Sequence, residues 1–304
     1  MMIKCPICNN SDGASIEQSL FPEFFSCGNC KGYFAKEKIA VSYPEEYFQE
    51  KNKPSVIARL ATPVLNVFLV GRVRRVKKII GGKKGAAVLD YGCGSGKLVA
   101  ALLKSDVNAS GFEPSDGARA IAGRHGFPVF NEIKSVGGYD LIMFWHSLEH
   151  TDNPLEVIRN AAGYLKKDGK LLIAVPNAGG FEVRIFKDKW FHYSYPLHAI
   201  QFTPGAVETM LNKSGFKILS VDYFNPEYTI PGLIQSFLNW FLPKDALYSV
   251  VSHRRLSVSF NKVIFFAFLS VVLLLIFSPL LVLFFFIELI FRKTGAMVII
   301  AEKV

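Results

Sequence analysis

Acidic residues are in short supply in this 304-residue chain: 25 Asp and Glu face 35 Lys and Arg, for a formal charge of +10. An excess of that size suits nucleic acid or an anionic bilayer equally, because both attract clustered cations over roughly a Debye length. Cysteine is scarce as well, with five in all, and four of these lie within the first thirty residues. No apolar run comes after Met1 to Lys4, so a secretory leader is not expected and the body of the chain is expected in the cytosol. Apolar surface, by contrast, is plentiful. Mean hydropathy is positive, at +0.26, and the excess is concentrated between Val263 and Phe291. The length predicts one large core with appended pieces.

Cys5, Cys8, Cys27 and Cys30 form two C-x-x-C pairs. In each pair two sulfurs converge from one tight turn, and four thiolates complete the tetrahedral sphere that Zn²⁺ prefers in structural sites. Residues 1–36 therefore read as a zinc ribbon, with Pro6 and Gly28 inside the turns and too few apolar residues between them to fold without metal. A reducing cytosol and the lack of a surrounding strand-helix-strand pattern argue against disulfides and against a redox pair. Such a closed site has no open coordination position, so its expected role is scaffolding or partner docking.

Residues 37–83 read as a connecting amphipathic helical region. Ile57, Leu60, Val64, Phe68, Val73, Val76 and Ile80 recur on helical turns, cations cluster from Arg72 to Lys78, and Pro63 is expected to bend or divide the helix. It either packs on the core or lies on anionic headgroups. Ala86 to Tyr91 is then a short apolar run fit for a buried parallel strand, and it stops at Gly92-Cys93-Gly94-Ser95-Gly96 before the helical Lys97 to Leu103. Alternate glycines let the backbone pass close beneath a ligand while amides at the helix start point outward, so a nucleotide-like cofactor fits there.

The segment from Val88 to Gly96 resembles the first motif of class I S-adenosylmethionine-dependent methyltransferases, with Asp90 just ahead of the glycines. The order of the downstream segments is similar to that family, in its ubiquinone-type branch, some relatives of which carry an amino-terminal zinc ribbon. The resemblance covers residues 84–224 and resumes at 295–304. It implies a Rossmann-like α/β methyltransferase sheet with an antiparallel last strand. It also implies cofactor contacts from Asp90, Gly92, Cys93, Gly94 and Gly96, with Glu113 accepting both ribose hydroxyls and Phe144 and His146 bordering the methyl group. A carboxylate suits the ribose because it accepts two charge-assisted hydrogen bonds from a vicinal diol. The stretch Asn131 to Gly138 is short for the family's adenine seat, so no adenine contact is assigned there.

Methyl transfer is an in-line displacement, so positioning supplies much of the rate and a base must unmask the nucleophile. His146, His150, His192 and His198 are the candidates, His146 by its position after Tyr139 to Trp145, which reads as the fourth strand, and His198 by its aromatic loop. Phe216 to Tyr223 and Ala296 to Lys303 read as the last two strands, which the family pairs antiparallel in one sheet. The insertion between them, residues 225–294, must therefore return to the side on which it starts. Its apolar run from Val263 to Phe291 would reach ~43 Å as one helix, against a ~30 Å hydrocarbon core. Ser278-Pro279 is expected to divide it into a membrane-seeking helical hairpin, with His253-Arg254-Arg255, Lys262 and Arg292-Lys293 keeping both ends on the cytoplasmic face. A single tilted transmembrane helix is the rival reading.

The expected activity is methyl transfer to an acceptor delivered from the membrane lipid surface, either a quinone-like small molecule or a lipid-linked polyprenyl-glycan, with oxygen as the expected site. Two alternatives remain: an RNA methyltransferase, since zinc ribbons and positive charge also serve RNA enzymes, and a cofactor-binding membrane scaffold without turnover. Nucleic acid is not the expected partner, because Val175-Pro176-Asn177-Ala178 does not resemble the Asn-Pro-Pro-Tyr motif of base methylation.

Overall fold

The structure is a computed structural model and describes residues 4–11, 19–37, 56–127, 129–133, 138–251 and 260–304. Parts of the expected ribbon and connecting region, much of Asn131 to Gly138, and His253-Arg254-Arg255 lie outside the described residues.

Seven strands form the main sheet: β3 (Ala87–Tyr91), β4 (Asn108–Phe112), β5 (Val129–Phe130), β6 (Tyr139–Trp145), β7 (Leu165–Pro176), β9 (Phe216–Asp222) and β10 (Ala296–Lys303). Their spatial order is β5-β4-β3-β6-β7-β10-β9. Every neighbouring pair is parallel except those made by β10, which runs antiparallel to both β7 and β9. The central strands are apolar on both faces because both faces are covered. Leu141, Ile142, Met143 and Phe144 in β6 are all fully buried. One face packs Ile142 and Phe144 with Leu155, Ile158 and Met210. The other packs Leu141, Met143 and Trp145 with Leu98, Leu102 and Val76.

The helices α2 (Lys97–Leu103), α3 (Asp116–Gly123), α4 (Pro154–Tyr164) and α6 (Pro204–Asn212) flank this sheet, with α5 (Phe181–Phe186) following β7. Local chemistry marks their starts: the Ser115, Asn153 and Thr203 side chains each accept a bond from a first-turn amide, and Pro154 and Pro204 occupy the first turn, where no amide donor is needed.

The amino-terminal segment adds a small second sheet. Strand β1 (Phe24–Ser26) pairs with β2 (Tyr33–Ala35), and β2 pairs with β8 (Ile200–Gln201) from the loop after β7. Lys213 Nζ donates to Cys8 O at 2.7 Å, and Leu155 N donates to Pro6 O at 3.3 Å. The cysteine-bearing segment is therefore built into the side of the main domain.

Two expectations about proline are corrected. Helix α1 (Val56–Ile79) is continuous through Pro63. The expected hairpin is absent: α9 (Phe260–Ile290) is a single 31-residue helix with Pro279 inside it. Proline removes the donor that Leu275 O would have used, but the Ser278 hydroxyl donates to Leu275 O at 3.2 Å and supplies a substitute. The rival arrangement, with 296–304 on the far side of a membrane, is not formed either, since β10 is back in the sheet.

Helices α7 (Pro226–Leu238) and α8 (Ala246–Val251) complete the insertion, and both pack on α9. One stripe of α9, including Phe266, Leu273, Phe277, Leu281 and Phe285, rests on a third apolar cluster built from Phe21, Trp190, Leu233 and Phe237. At the end of this stripe Glu288 is fully buried, and its Oε1 accepts from Glu182 N of α5 at 3.3 Å. The Glu182 carboxyl is also fully buried, accepts from Ser236 Oγ at 3.2 Å and lies against Gly295. Burial pushes its pKa up to about 8, with the Ser236 bond pulling the other way.

Burial raises both Glu182 and Glu288, and the charge of Glu182 raises Glu288 further, so the folded pair keeps protons that the unfolded chain gives up near the ordinary carboxylate value, and stability falls as pH rises above that value. Glu182→Gln should flatten that fall. Thermal denaturation of both proteins across roughly pH 5–9 should show the variant gaining on the wild type as pH rises, and parallel profiles would reject the assignment.

Candidate active site

The glycine loop links β3 to α2 along a strained path. Gly92 and Gly96 have φ of 81° and 74°, and a Cβ on either would lie 2.5 Å from Ser147 Cβ or 2.3 Å from Phe127 Cζ. Both must be glycine for the turn and for the close approach. At Gly94 nothing lies within 4 Å of where a Cβ would be, so the loop is open on that side. Cys93 turns its sulfur onto the sheet, where Gly111 leaves room for it.

Glu113 follows the end of β4 and is 7% exposed. Its Oε2 accepts from Gly94 N at 2.8 Å and its Oε1 from Ser115 N at 2.9 Å. A carboxylate has about four acceptor sites, so each oxygen keeps capacity for a ligand hydroxyl. Asp90, near the end of β3, is 3% exposed and its Oδ1 has no partner among the described residues. Burial pushes its pKa up to about 7, Arg72 pulls it down, and Glu113 pushes it up again. A buried orphan acceptor beside an open glycine loop is what a ligand bearing hydroxyl or ammonium donors would satisfy. These residues fit S-adenosylmethionine, whose ribose and amino-acid ends carry those donors. Phe144 is fully buried and its ring lies 4.8 Å from that of Tyr91, so it supports the loop from within the core.

His146 comes directly after β6. Its backbone has φ 53°, an uncommon conformation for a residue with a Cβ. Its Nδ1 lies 3.1 Å from Glu149 Oε1. Because a carboxylate only accepts, Nδ1 carries the hydrogen, which in the neutral imidazole leaves the lone pair on Nε2. That Nε2 is buried and has no partner among the described residues. Burial alone would raise the pKa of Glu149, but the His146 bond and the neighbouring imidazoles outweigh it and hold the carboxylate at about 2. The anion that orients His146 is thus permanent near neutrality.

The other candidate histidines are placed differently. His150 Nδ1 lies 2.9 Å from Leu197 O, and His198 Nδ1 lies 2.8 Å from His192 O, with the two rings 4.7 Å apart. Glu149, His150 and His198 each offer a ligand atom within 4.8 Å of the others, a set that a divalent ion could use. Burial pushes His198 and His192 down to about 3. The His192 ring stands 6.2 Å from that of His146, with its Nε2 directed at Gly232 of α7. Of the four imidazoles, His146 combines an orienting carboxylate with an unpartnered basic nitrogen.

Sequence reasoning missed the roof of this site. Tyr228 of α7 stacks on His146 at 3.6 Å between centroids. Arg72 of α1 donates through Nε to Glu227 Oε2 at 2.8 Å and through Nη2 to Glu227 Oε1 and, at 2.9 Å, to Tyr228 Oη. The same guanidinium lies 4.9 Å from the Trp145 ring centre. Arg72 is thus the link between the connecting helix, the insertion and the end of β6. Its place in a run of cations concealed it, while Glu149 was visible only as an acid three residues after His146.

The cysteines meet at the other side of the loop carrying β8. Cys5 Sγ lies 3.8 Å from Cys30 Sγ, Cys8 Sγ lies 3.7 Å from Cys27 Sγ, and all four sulfurs fall within 4.8 Å. A disulfide needs about 2.05 Å, whereas ligands at ~2.3 Å on a tetrahedron stand ~3.8 Å apart. The donor set fits Zn²⁺.

A model of the methyltransferase domain matches residues 68–221, just over half of the 304 residues. The chain belongs to the methyltransferase domain family. Curated relatives of this methyltransferase include the ubiquinone biosynthesis O-methyltransferase of Bordetella avium, 22% identical over 53% of this chain and 76% of that protein. That of Shewanella pealeana is 32% identical over 35% of this chain and 50% of its own length. The chain thus spans about half the length of several of its curated relatives. Among solved structures, a putative sarcosine dimethylglycine methyltransferase from Galdieria sulphuraria aligns over 88% of this chain and 93% of that one, with a TM-score of 0.51 and 14% identity, a likeness of fold. The protein is an S-adenosylmethionine-dependent methyltransferase with a Rossmann-like α/β sheet.

Replacing Glu113 with Ala should weaken S-adenosylmethionine binding by roughly ten- to a hundredfold, the equivalent of about 1.5–3 kcal/mol for a charge-assisted contact. Isothermal calorimetry on both proteins measures this. Equal dissociation constants would remove Glu113 from the cofactor site.

Proposed function

We propose that this methyltransferase methylates a hydroxyl oxygen on a membrane-associated acceptor, either quinone-like or polyprenyl-glycan, at the cytoplasmic face of a membrane. The observation that carries this reading is the His146 imidazole: partly buried, aimed by Glu149, with a buried, unpartnered Nε2 beneath a roof supplied by the insertion. The names of the relatives favour a quinone-like acceptor over the glycan.

When bound, S-adenosylmethionine supplies an electrophilic methyl carbon on a sulfonium. Glu113 and the glycine loop hold its ribose, and Asp90 lies where a donor group can reach its buried Oδ1. His146 Nε2 takes the proton of the acceptor hydroxyl as the oxygen becomes nucleophilic. Glu149, which orients the ring through Nδ1, stabilises the resulting imidazolium. Tyr228 stacks on His146 and, through Arg72, joins Trp145, so the surroundings of the base are aromatic, which suits a flat, apolar acceptor ring. His150 and His198 stand one step further out, tied to backbone carbonyls, and help position the loop after β7.

The four cysteines hold a structural Zn²⁺ in this reading. Through the pairing of β2 with β8, the metal fixes the loop that carries His192 and His198. Metal analysis should give one zinc per chain. Stripping it with a chelator should lower the melting temperature and slow turnover without changing the stoichiometry of cofactor binding.

The decisive experiment supplies methyl-labelled S-adenosylmethionine with demethylated quinone precursors in mixed micelles and tracks the label by mass spectrometry. Label on a phenolic oxygen is expected, and label on RNA or on no lipid extract would overturn the proposal. His146→Ala should lower kcat by roughly 10²–10⁴-fold with cofactor affinity unchanged. A variant with wild-type kcat would remove His146 as the base.

A further inference from the structure

Helix α9 has two faces of opposite fate. The stripe through Phe266, Leu273, Phe277 and Phe285 rests on the body of the enzyme, while twelve large apolar side chains on its outward face are exposed. Leu275 is 72% exposed, Ile276 64%, Phe268 66% and Ile290 75%. A soluble monomer rarely carries a contiguous apolar patch beyond ~300–600 Å². The helix is long and apolar enough to cross a membrane by length and composition, but a crossing helix turns its whole circumference to lipid over ~30 Å unless other spanning elements cover it.

The inward stripe forbids that arrangement. From Phe266 to Phe285 it spans ~30 Å at ~1.5 Å per residue, all of it against a cluster that also contains Trp190, Tyr193 and Phe21 of the enzyme body. Crossing would require this core to enter the bilayer or α9 to be stripped from it. The buried Glu288, bonded to the backbone of α5, fastens the carboxy-terminal end. Just past that end, β10 re-enters the sheet between β7 and β9.

Charge completes the match. The outward face carries no acidic side chain, and exposed Lys262 and Arg292 stand at its two ends, ~45 Å apart along the axis. Beside the face, Trp240 and Phe241 are half exposed in the turn after α7, with Phe241 6.3 Å from Phe277. Amphipathic aromatics and long cations are the side chains that settle at headgroup level.

We propose that α9 lies in the plane of a single monolayer of an anionic membrane, its outward face in the acyl region and its two cationic ends at the same headgroup layer. This rests on the membrane reading given above and specifies how the membrane is engaged. In that posture α7, which packs on α9 and carries Tyr228 onto His146, links the lipid boundary to the site.

The test uses the full-length protein and vesicles of phosphatidylcholine, with and without about 30% phosphatidylglycerol as the anionic lipid. Sedimentation should show binding to both, tighter to the anionic set. Lys262→Gln with Arg292→Gln should lower partitioning onto anionic vesicles on the order of thirtyfold and leave cofactor-binding heat unchanged, which verifies folding. Lys262→Cys and Arg292→Cys, each made separately in a Cys93→Ser background where the remaining four cysteines are buried, should both react with an impermeant maleimide added outside sealed vesicles. If only one reacts until the vesicles are permeabilised, α9 spans, and the in-plane proposal fails while the membrane reading stands. Absence of vesicle binding, with a dimer in analytical ultracentrifugation, would mean that a second copy covers the face and would defeat both.

Discussion

The antiparallel insertion of β10 between β7 and β9 is the constraint on which the rest depends. Register is fixed over seven pairs with β7 and six with β9, so the chain between Asp222 and Ala296 must leave the edge strand and come back one strand further in. A segment tied at both ends to neighbouring strands cannot wander. It must pack near the strand ends from which it departs and to which it returns, and in this fold β9 ends and β10 begins beside the carboxy-terminal end of β7. Hence α7 lies over His146, and α9 is braced against α5 through Glu182 and Glu288.

The polar groups beneath that roof act through their poor solvation. Asp90, Glu113, Glu149 and His146 stand at the ends of β3, β4 and β6, and Asp90, Glu149 and His146 each keep a buried polar atom without a partner among the described residues, which a bound ligand could satisfy. Arg72 holds the arrangement shut from outside. Its fork engages Glu227 and Tyr228 while its face meets Trp145, so one side chain ties together three segments far apart in sequence. Arginine suits this place because its planar group can donate at its edge and stack on its face at once.

Much of this was legible from residues alone. Strand β3 falls on the short apolar run read as a buried strand, β10 on the segment read as a last strand, and α2 begins where the glycine loop ends, because burial on both faces and the demand for positive φ leave direct marks in the sequence. The four cysteines converge as their spacing required. What sequence concealed was long-range or compensated. The Arg72 to Glu227 pair joins positions 155 apart, and no local pattern announces it. Proline at 279 was read as a break because its missing donor is a local fact, whereas the Ser278 hydroxyl that replaces it is a matter of rotamer and geometry. The same proline sits on the exposed, outward side of α9.

The cysteine-bearing segment shows why an appended piece need not be peripheral to chemistry. β2 borrows β8 as its third strand, and Ala35 N donates to Ala199 O at 2.9 Å immediately beside it. His198, two residues before β8, is bonded in turn to the carbonyl of His192. The loop from His192 to Gln201 is therefore pinned at one end by the ribbon and at the other by contacts with α7, where Phe191 N donates to Ser236 Oγ at 2.9 Å. A loop pinned at both ends presents its histidines in one arrangement, and ordering entropy that would otherwise be lost on acceptor binding is removed in advance. In the proposed function the cysteine-bearing segment would act on catalysis without touching substrate, by holding rigid the loop that carries His192 and His198.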